Sequence, residues 1–136
     1  MSEKMNIGID KTITADEVIN LRAVSGWDAD FEEWKKCLSQ NLINVSARDG
    51  SGQLVGAGFL TGNVRHAELV DLVVHPDYRQ KGIGRSIVRI IVDYAKQNKI
   101  KYFGLTYDEE SPWLKEFYES EGFQPIDFAM WHEDSL

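Results

Sequence analysis

Cysteine is nearly absent from this sequence. Cys37 stands alone, so no internal disulfide can staple the fold, and one unpaired thiol fits a reducing compartment, making the cytoplasm the expected location. Long apolar runs are missing too. None approaches the roughly 20 residues that cross a bilayer, and the opening MSEKMNIGID has no apolar h-region, so neither a membrane span nor a signal peptide is expected. Positive charge is in short supply: 15 Lys+Arg against 22 Asp+Glu give a formal net charge of −7, which argues against nucleic acid or an anionic membrane as partner. His66, His132 and Cys37 fall at no metal-ligand spacing, so no metal is expected. There is no Gly-x-x-x-x-Gly-Lys-Ser/Thr loop, no nucleophile elbow, no repeat and no stretch long enough to link two domains. With 136 residues the expectation is one domain spanning 1–136, burying about two thirds of its unfolded surface.

What is present is unevenly spread. Residues 107–136 hold nine acids and one base, whereas Asp77 to Lys101 hold seven bases and two acids. Hydrophobic periodicity predicts helices over 14–24, 30–40, 83–98 and 113–121, and strands over 42–48, 54–61, 68–75, 102–107 and 125–132. Thr14 and Glu17 are spaced as a capping box, and Asp49-Gly50-Ser51-Gly52 reads as a hairpin turn. The order ααβββαβαβ implies an α/β (α+β) fold: a mixed, mostly antiparallel sheet with helices on both faces. The helix over 83–98 would make the two strands that it joins parallel.

The most informative stretch runs from Val70 to Arg85. A buried-looking strand is stopped by Pro76, and a basic, glycine-containing turn then opens directly into an amphipathic helix. Such a turn offers free backbone N–H groups at the positive end of a helix dipole, which is an anion site. Gly82 and Gly84 would let the backbone approach a phosphate, and Arg79, Lys81 and Arg85 would add charge-assisted contacts. A Rossmann fingerprint is excluded, because Ile87 stands where the third glycine belongs.

Arg79-Gln80-Lys81-Gly82-Ile83-Gly84 resembles the Arg/Gln-x-x-Gly-x-Gly/Ala motif of the GNAT superfamily of acyl-CoA-dependent N-acyltransferases. Leu72 to Tyr78 resembles that superfamily's strand and approach loop, and Phe117 to Phe123 its Tyr-x-x-x-Gly-Phe segment. The resemblance implies a GNAT fold and acetyl-CoA as co-substrate. It assigns Val73 and Val74 to the pantetheine arm, and Gln80, Lys81, Gly82, Ile83, Gly84 and Arg85 to the phosphates. It also carries an expectation of a homodimer.

An amine near the lysine pKa of about 10.4 must lose a proton before it attacks a thioester, so a base and an acid are needed. Tyr118 matches the superfamily's frequent tyrosine position and could donate to the departing thiolate; the alternative is a ring packed on its helix's inner face. Asp71 interrupts an apolar strand and must face water, a partner or a pocket. The resemblance makes it the candidate base or holder of a water, with a structural hydrogen bond or ion pair as the equal alternative. Glu68 is a weaker candidate, and His75 reads as structural.

The acceptor is expected to be a primary amine on a small molecule or peptide. Val24 to Trp27 and Phe128 to His132 are similar to segments of the plastid serotonin N-acetyltransferase type, a hint towards arylalkylamines. The acidic C-terminal third would attract any cationic amine, polyamines, peptide N-termini and protein lysines included. A non-catalytic acyl-CoA-binding module is the alternative from another class.

Overall fold

A computed structural model describes residues 4–107, 111–126 and 130–135, and the chain divides into two compact units, residues 1–104 and 105–136. In the first unit the order is β1 (Asn6–Ile9), α1 (Ala15–Val24), α2 (Phe31–Gln40), β2 (Ile43–Arg48), β3 (Leu54–Gly62), β4 (His66–Val74), a 3-10 turn at Pro76–Tyr78, α3 (Ile83–Gln97) and β5 (Tyr102–Gly104). The strands lie in the order β1-β2-β3-β4-β5, antiparallel except for β4 and β5, which run parallel as the α3 crossover requires.

Local chemistry sets the helix starts. Thr14 and Glu17 form the expected capping box at α1, and the Asp30 carboxylate accepts from the Glu33 amide at α2. On one sheet face Val18 and Leu21 of α1 and Trp34 of α2 pack with Leu54, Ala57, Phe59 and Val73; the Trp34 and Phe59 ring centres lie 5.1 Å apart. On the other face α3 buries Ile83, Ile87, Val88, Ile91 and Ala95. Each buried aliphatic side chain contributes about 1.5–3 kcal/mol.

Strand alternation turns Gly56 and Gly58 of β3 towards α3. A β-carbon on Gly58 would lie 2.6 Å from Ile87 Cγ2, and one on Gly56 3.1 Å from Ile83 Cγ2. The helix therefore rests directly on the β3 backbone. The tight end of the β3–β4 hairpin also requires glycine: Gly62 has φ +127°, and a β-carbon there would stand 2.2 Å from the His66 carbonyl oxygen.

Two expected strands need correction, and one strand was not expected. Strand β1 was not anticipated: its sequence Asn-Ile-Gly-Ile is short and half made of poor strand formers, and it forms by pairing with β2, Asn6 opposite Arg48. The strand expected over 102–107 ends at Gly104, because β4 offers it partners only at His66, Ala67 and Glu68. The strand expected over 125–132 is not formed at its described residues 125–126 and 130–132, while 127–129 lie outside the described residues. No helix among the described residues is long and apolar enough to cross a membrane.

A charge cluster ties β1, β2 and α1 together. Arg48 donates from Nε to Asp10 at 2.9 Å, from Nη2 to Glu17 at 3.1 Å and from Nη1 to the Gly52 carbonyl at 3.0 Å. Burial opposes ionisation of Asp10, but hydrogen bonds from Thr12, Ser46 and Arg48 outweigh it and hold the carboxyl well below the usual aspartate range. The Arg48 guanidinium does the same for Glu17. A carboxylate with a lowered folded-state pKa contributes stability that is present above its unfolded value and lost as pH falls below it. The melting temperature should therefore fall as pH drops below about 4, and Arg48→Met should flatten that fall and cost about 2 kcal/mol at neutral pH. Thermal melts of both proteins across that range check it.

The second unit contains α4 (Pro112–Ser120) and a 3-10 turn at Glu133–Ser135. Within it the Tyr118 ring packs edge-on against Phe117 at 5.1 Å and Phe123 at 5.8 Å, and the Phe123 amide donates to the Tyr118 carbonyl.

Candidate active site

Strand β4 carries its chemistry where β5 stops. Its edge beyond Glu68 has no β5 partner, while β3 pairs with it as far as Val74. The His75 amide donates to the Val55 carbonyl, so ladder alternation turns Val74's backbone groups away from β3 and Val73's towards it. Of the two valines assigned to the pantetheine arm, Val74 has its main chain on the open edge, and Val73 packs its side chain into the core.

After Val74 the chain makes its turn. The His75 ring Nδ1 accepts from the Asp77 amide at 3.1 Å and the ring stands edge-on to Tyr78, the structural role expected for it. The Tyr78 hydroxyl donates to Asp49 at 3.3 Å, which fastens the turn to the β2–β3 hairpin; Asp49 also accepts from the Ser51 and Gln53 amides. The Ser51 hydroxyl bond leads the contacts that keep the Asp49 carboxyl below its ordinary pKa. Arg79 donates from Nε to the Val74 carbonyl at 3.0 Å, folding the turn back over the open edge.

Gln80 and Gly82 then adopt left-handed backbone, φ +62° and +79°, and α3 begins at Ile83 with no side chain capping it. The first amides of a helix have no acceptor one turn back, so those of Ile83 and Gly84 point outward at the positive end of a 15-residue dipole. Arg79, Gln80, Lys81, Gly82 and Arg85 are all exposed around this end, and Lys81 Nζ lies 5.3 Å from the Tyr78 ring centre. The structure thus brings the predicted turn residues together as an uncapped, basic helix N-terminus. A hollow of about 190 Å³ is lined by Glu17, Asn20, Leu21 and Val24 of α1 with Gln53, Leu54 and His75, and by none of the residues of the 79–85 turn.

Asp71 lies earlier on β4, at a bulge where the pairing with β3 slips between Ala57 and Phe59. Its φ is +54°, inside the strand, and its carboxylate is about half exposed and stands 3.6 Å from Arg22 Nη1. Both sequence alternatives for Asp71 therefore have a physical counterpart: it faces solvent, and it has an ion-pair partner. Glu68 lies at the start of β4 beside His66, at 3.8 Å. The Cys37 thiol is held above its usual pKa by burial and by the charges of Glu33 and Asp71, which disfavours the thiolate form. Tyr118 belongs to the second unit, where burial raises its phenol above the ordinary tyrosine value. No cluster of three metal-ligating side chains occurs among the described residues.

The sequence reading missed Arg22. One clue was available, since Arg22 falls one helical turn after Val18, on the core-facing stripe of α1 where an arginine needs a reason to be.

A mixed sheet with helices on both faces, its parallel β4–β5 pairing stopping short and its open strand running into a basic uncapped helix, is the framework of an acetyltransferase. The chain belongs to the acetyltransferase (GNAT) family, whose domain matches residues 40–125. Over 74 residues, 54% of this chain, it is 31% identical to the UPF0157 protein YqkA of Bacillus subtilis (strain 168), and the match spans only 21% of that relative's length. Among solved structures, the GNAT family acetyltransferase SP0256 of Streptococcus pneumoniae TIGR4 superposes with a TM-score of 0.82 at 25% identity, over 96% of this chain and 98% of its own. The aminoglycoside N-acetyltransferase AAC(6')-Iy, solved in complex with CoA, shares the fold at a TM-score of 0.79 and 13% identity, over 98% of this chain and 96% of its own.

Proposed function

We propose that residues 1–136 form one catalytic domain that moves an acetyl group from acetyl-CoA to a primary amine by direct transfer in a ternary complex. The observation that carries this reading is the uncapped N-terminus of α3, where helix-end amides without a side-chain cap, two left-handed residues and three bases stand at the end of an open strand edge. Gln80 to Arg85 would hold the phosphates of CoA, and Val74 would bond the pantetheine arm through its backbone. Val73 supports this edge from the core. CoA bound to a protein of the same fold supports the choice of co-substrate.

The amine nitrogen attacks the thioester carbonyl, forming the C–N bond as the C–S bond breaks. Asp71, directly or through a water, takes the amine's proton, and the Tyr118 hydroxyl gives one to the departing thiolate. A phenol whose pKa is raised stays protonated at neutral pH and is able to donate. The acceptor is an amine on a small molecule or a peptide, drawn by the acidic residues beyond 106.

Free-thiol release from acetyl-CoA tests this with tryptamine, spermidine, glucosamine 6-phosphate, kanamycin and a lysine-containing peptide as acceptors. Amine-dependent release is expected with at least one of them. Tight acetyl-CoA binding without release for any would instead identify a binding module.

A further inference from the structure

Arg22 is held more elaborately than a surface ion pair requires. Its guanidinium carbon lies 5.4 Å from the ring centre of Trp34, which is buried, and 5.9 Å from that of Trp27, which is exposed. Its Nε is sealed from solvent and meets no acceptor among the described residues. A buried donor without a partner is costly, so the gain that offsets it must come from elsewhere on the same group. Stacking on two indoles supplies part of it, and among the described residues its charge partner is Asp71, 3.6 Å from Nη1. Asp71 is itself unusual, a left-handed residue inside a strand, and the bulge aims its carboxylate at α1 instead of along the ladder. Two separately unfavourable arrangements, a strained aspartate and an orphaned guanidinium nitrogen, thus meet at one ion pair.

We propose that Arg22 is a positioning residue for the transfer reaction, fixing the Asp71 carboxylate at the β4 bulge while Trp34 and Trp27 fix Arg22. The proposal rests on the reading of Asp71 as proton acceptor. Asp71 stays about half exposed while paired, so one side of the carboxylate is held and the other is open to an amine or a water.

The test is a double-mutant cycle on kcat, run with acetyl-CoA and the amine of highest turnover in the panel above. Asp71→Asn should lower kcat by about 10²-fold or more. Arg22→Gln should lower kcat about tenfold with the KM for acetyl-CoA within about twofold, and Arg22→Lys should recover part of that loss by restoring the charge. The double variant Arg22→Gln/Asp71→Asn should be no slower than Asp71→Asn alone. Losses that multiply in the double variant would show Arg22 acting independently of Asp71 and overturn the proposal. Full activity in Asp71→Asn would sink the base reading itself, a separate and recognisable failure. If thermal melts show Arg22→Gln unfolded, the same cycle run with Arg22→Lys, which keeps the charge but not the planar stacking, gives a smaller loss that must again vanish beside Asp71→Asn.

Discussion

Tyr118→Phe should lower kcat by about 10²-fold or more while leaving acetyl-CoA affinity within about twofold. The substitution removes one oxygen and keeps the ring, so the edge-on contacts with Phe117 and Phe123 survive and the melting temperature should hardly move. What it removes is a donor that is protonated at neutral pH and whose pKa burial raises further. A thiolate leaving without a proton or hydrogen bond is a poor leaving group, and the deficit should fall on the chemical step rather than on binding. Steady-state turnover, with affinity from isothermal titration, separates the two. Unchanged turnover would remove Tyr118 from the mechanism and leave it as the ring that holds its own unit together.

Reversing charge at the turn should act in the opposite way, on affinity first. Lys81→Glu combined with Arg85→Glu should weaken acetyl-CoA binding by about 10²- to 10³-fold, since a charge-assisted hydrogen bond contributes about 1.5–3 kcal/mol and 1.4 kcal/mol is tenfold. Both side chains are exposed and remote from the core, so the fold should tolerate the change. Calorimetric titration at two ionic strengths checks the cause: the wild type should bind more weakly in high salt, and the variant should lose that dependence. Equal affinity in both proteins would move the phosphates to another part of the molecule.

The turn was legible in the sequence because everything it needs is local. A proline stop, the bases and the glycines occupy ten consecutive positions, Pro76 to Arg85, and the helix after them has a clean apolar stripe. The capping box at Thr14 and the hairpin turn at Asp49 were readable for the same reason. Strand β1 was not, since its evidence is a pairing with residues some forty positions away. Asp71 announced itself as a carboxylate in an apolar strand, but its partner sits 49 positions earlier on another element, and only the folded chain brings Arg22 to it. The bulge that twists Asp71 into left-handed backbone leaves no mark in composition, because an aspartate takes up that strained conformation at a lower cost than most residues and so stands where a glycine would have flagged it.

The bare β3 backbone beneath α3 has a thermodynamic consequence for whatever anion docks at the helix start. With Gly56 and Gly58 under it, the helix is seated at van der Waals distance along its first turns and has no slack to settle further. Its leading amides are held in register before a ligand arrives, so binding should lose little conformational entropy at that end and should not wait on rearrangement. Two missing side chains on a buried strand thereby set the rigidity of a site that they meet only from beneath, through the side chain of Ile83.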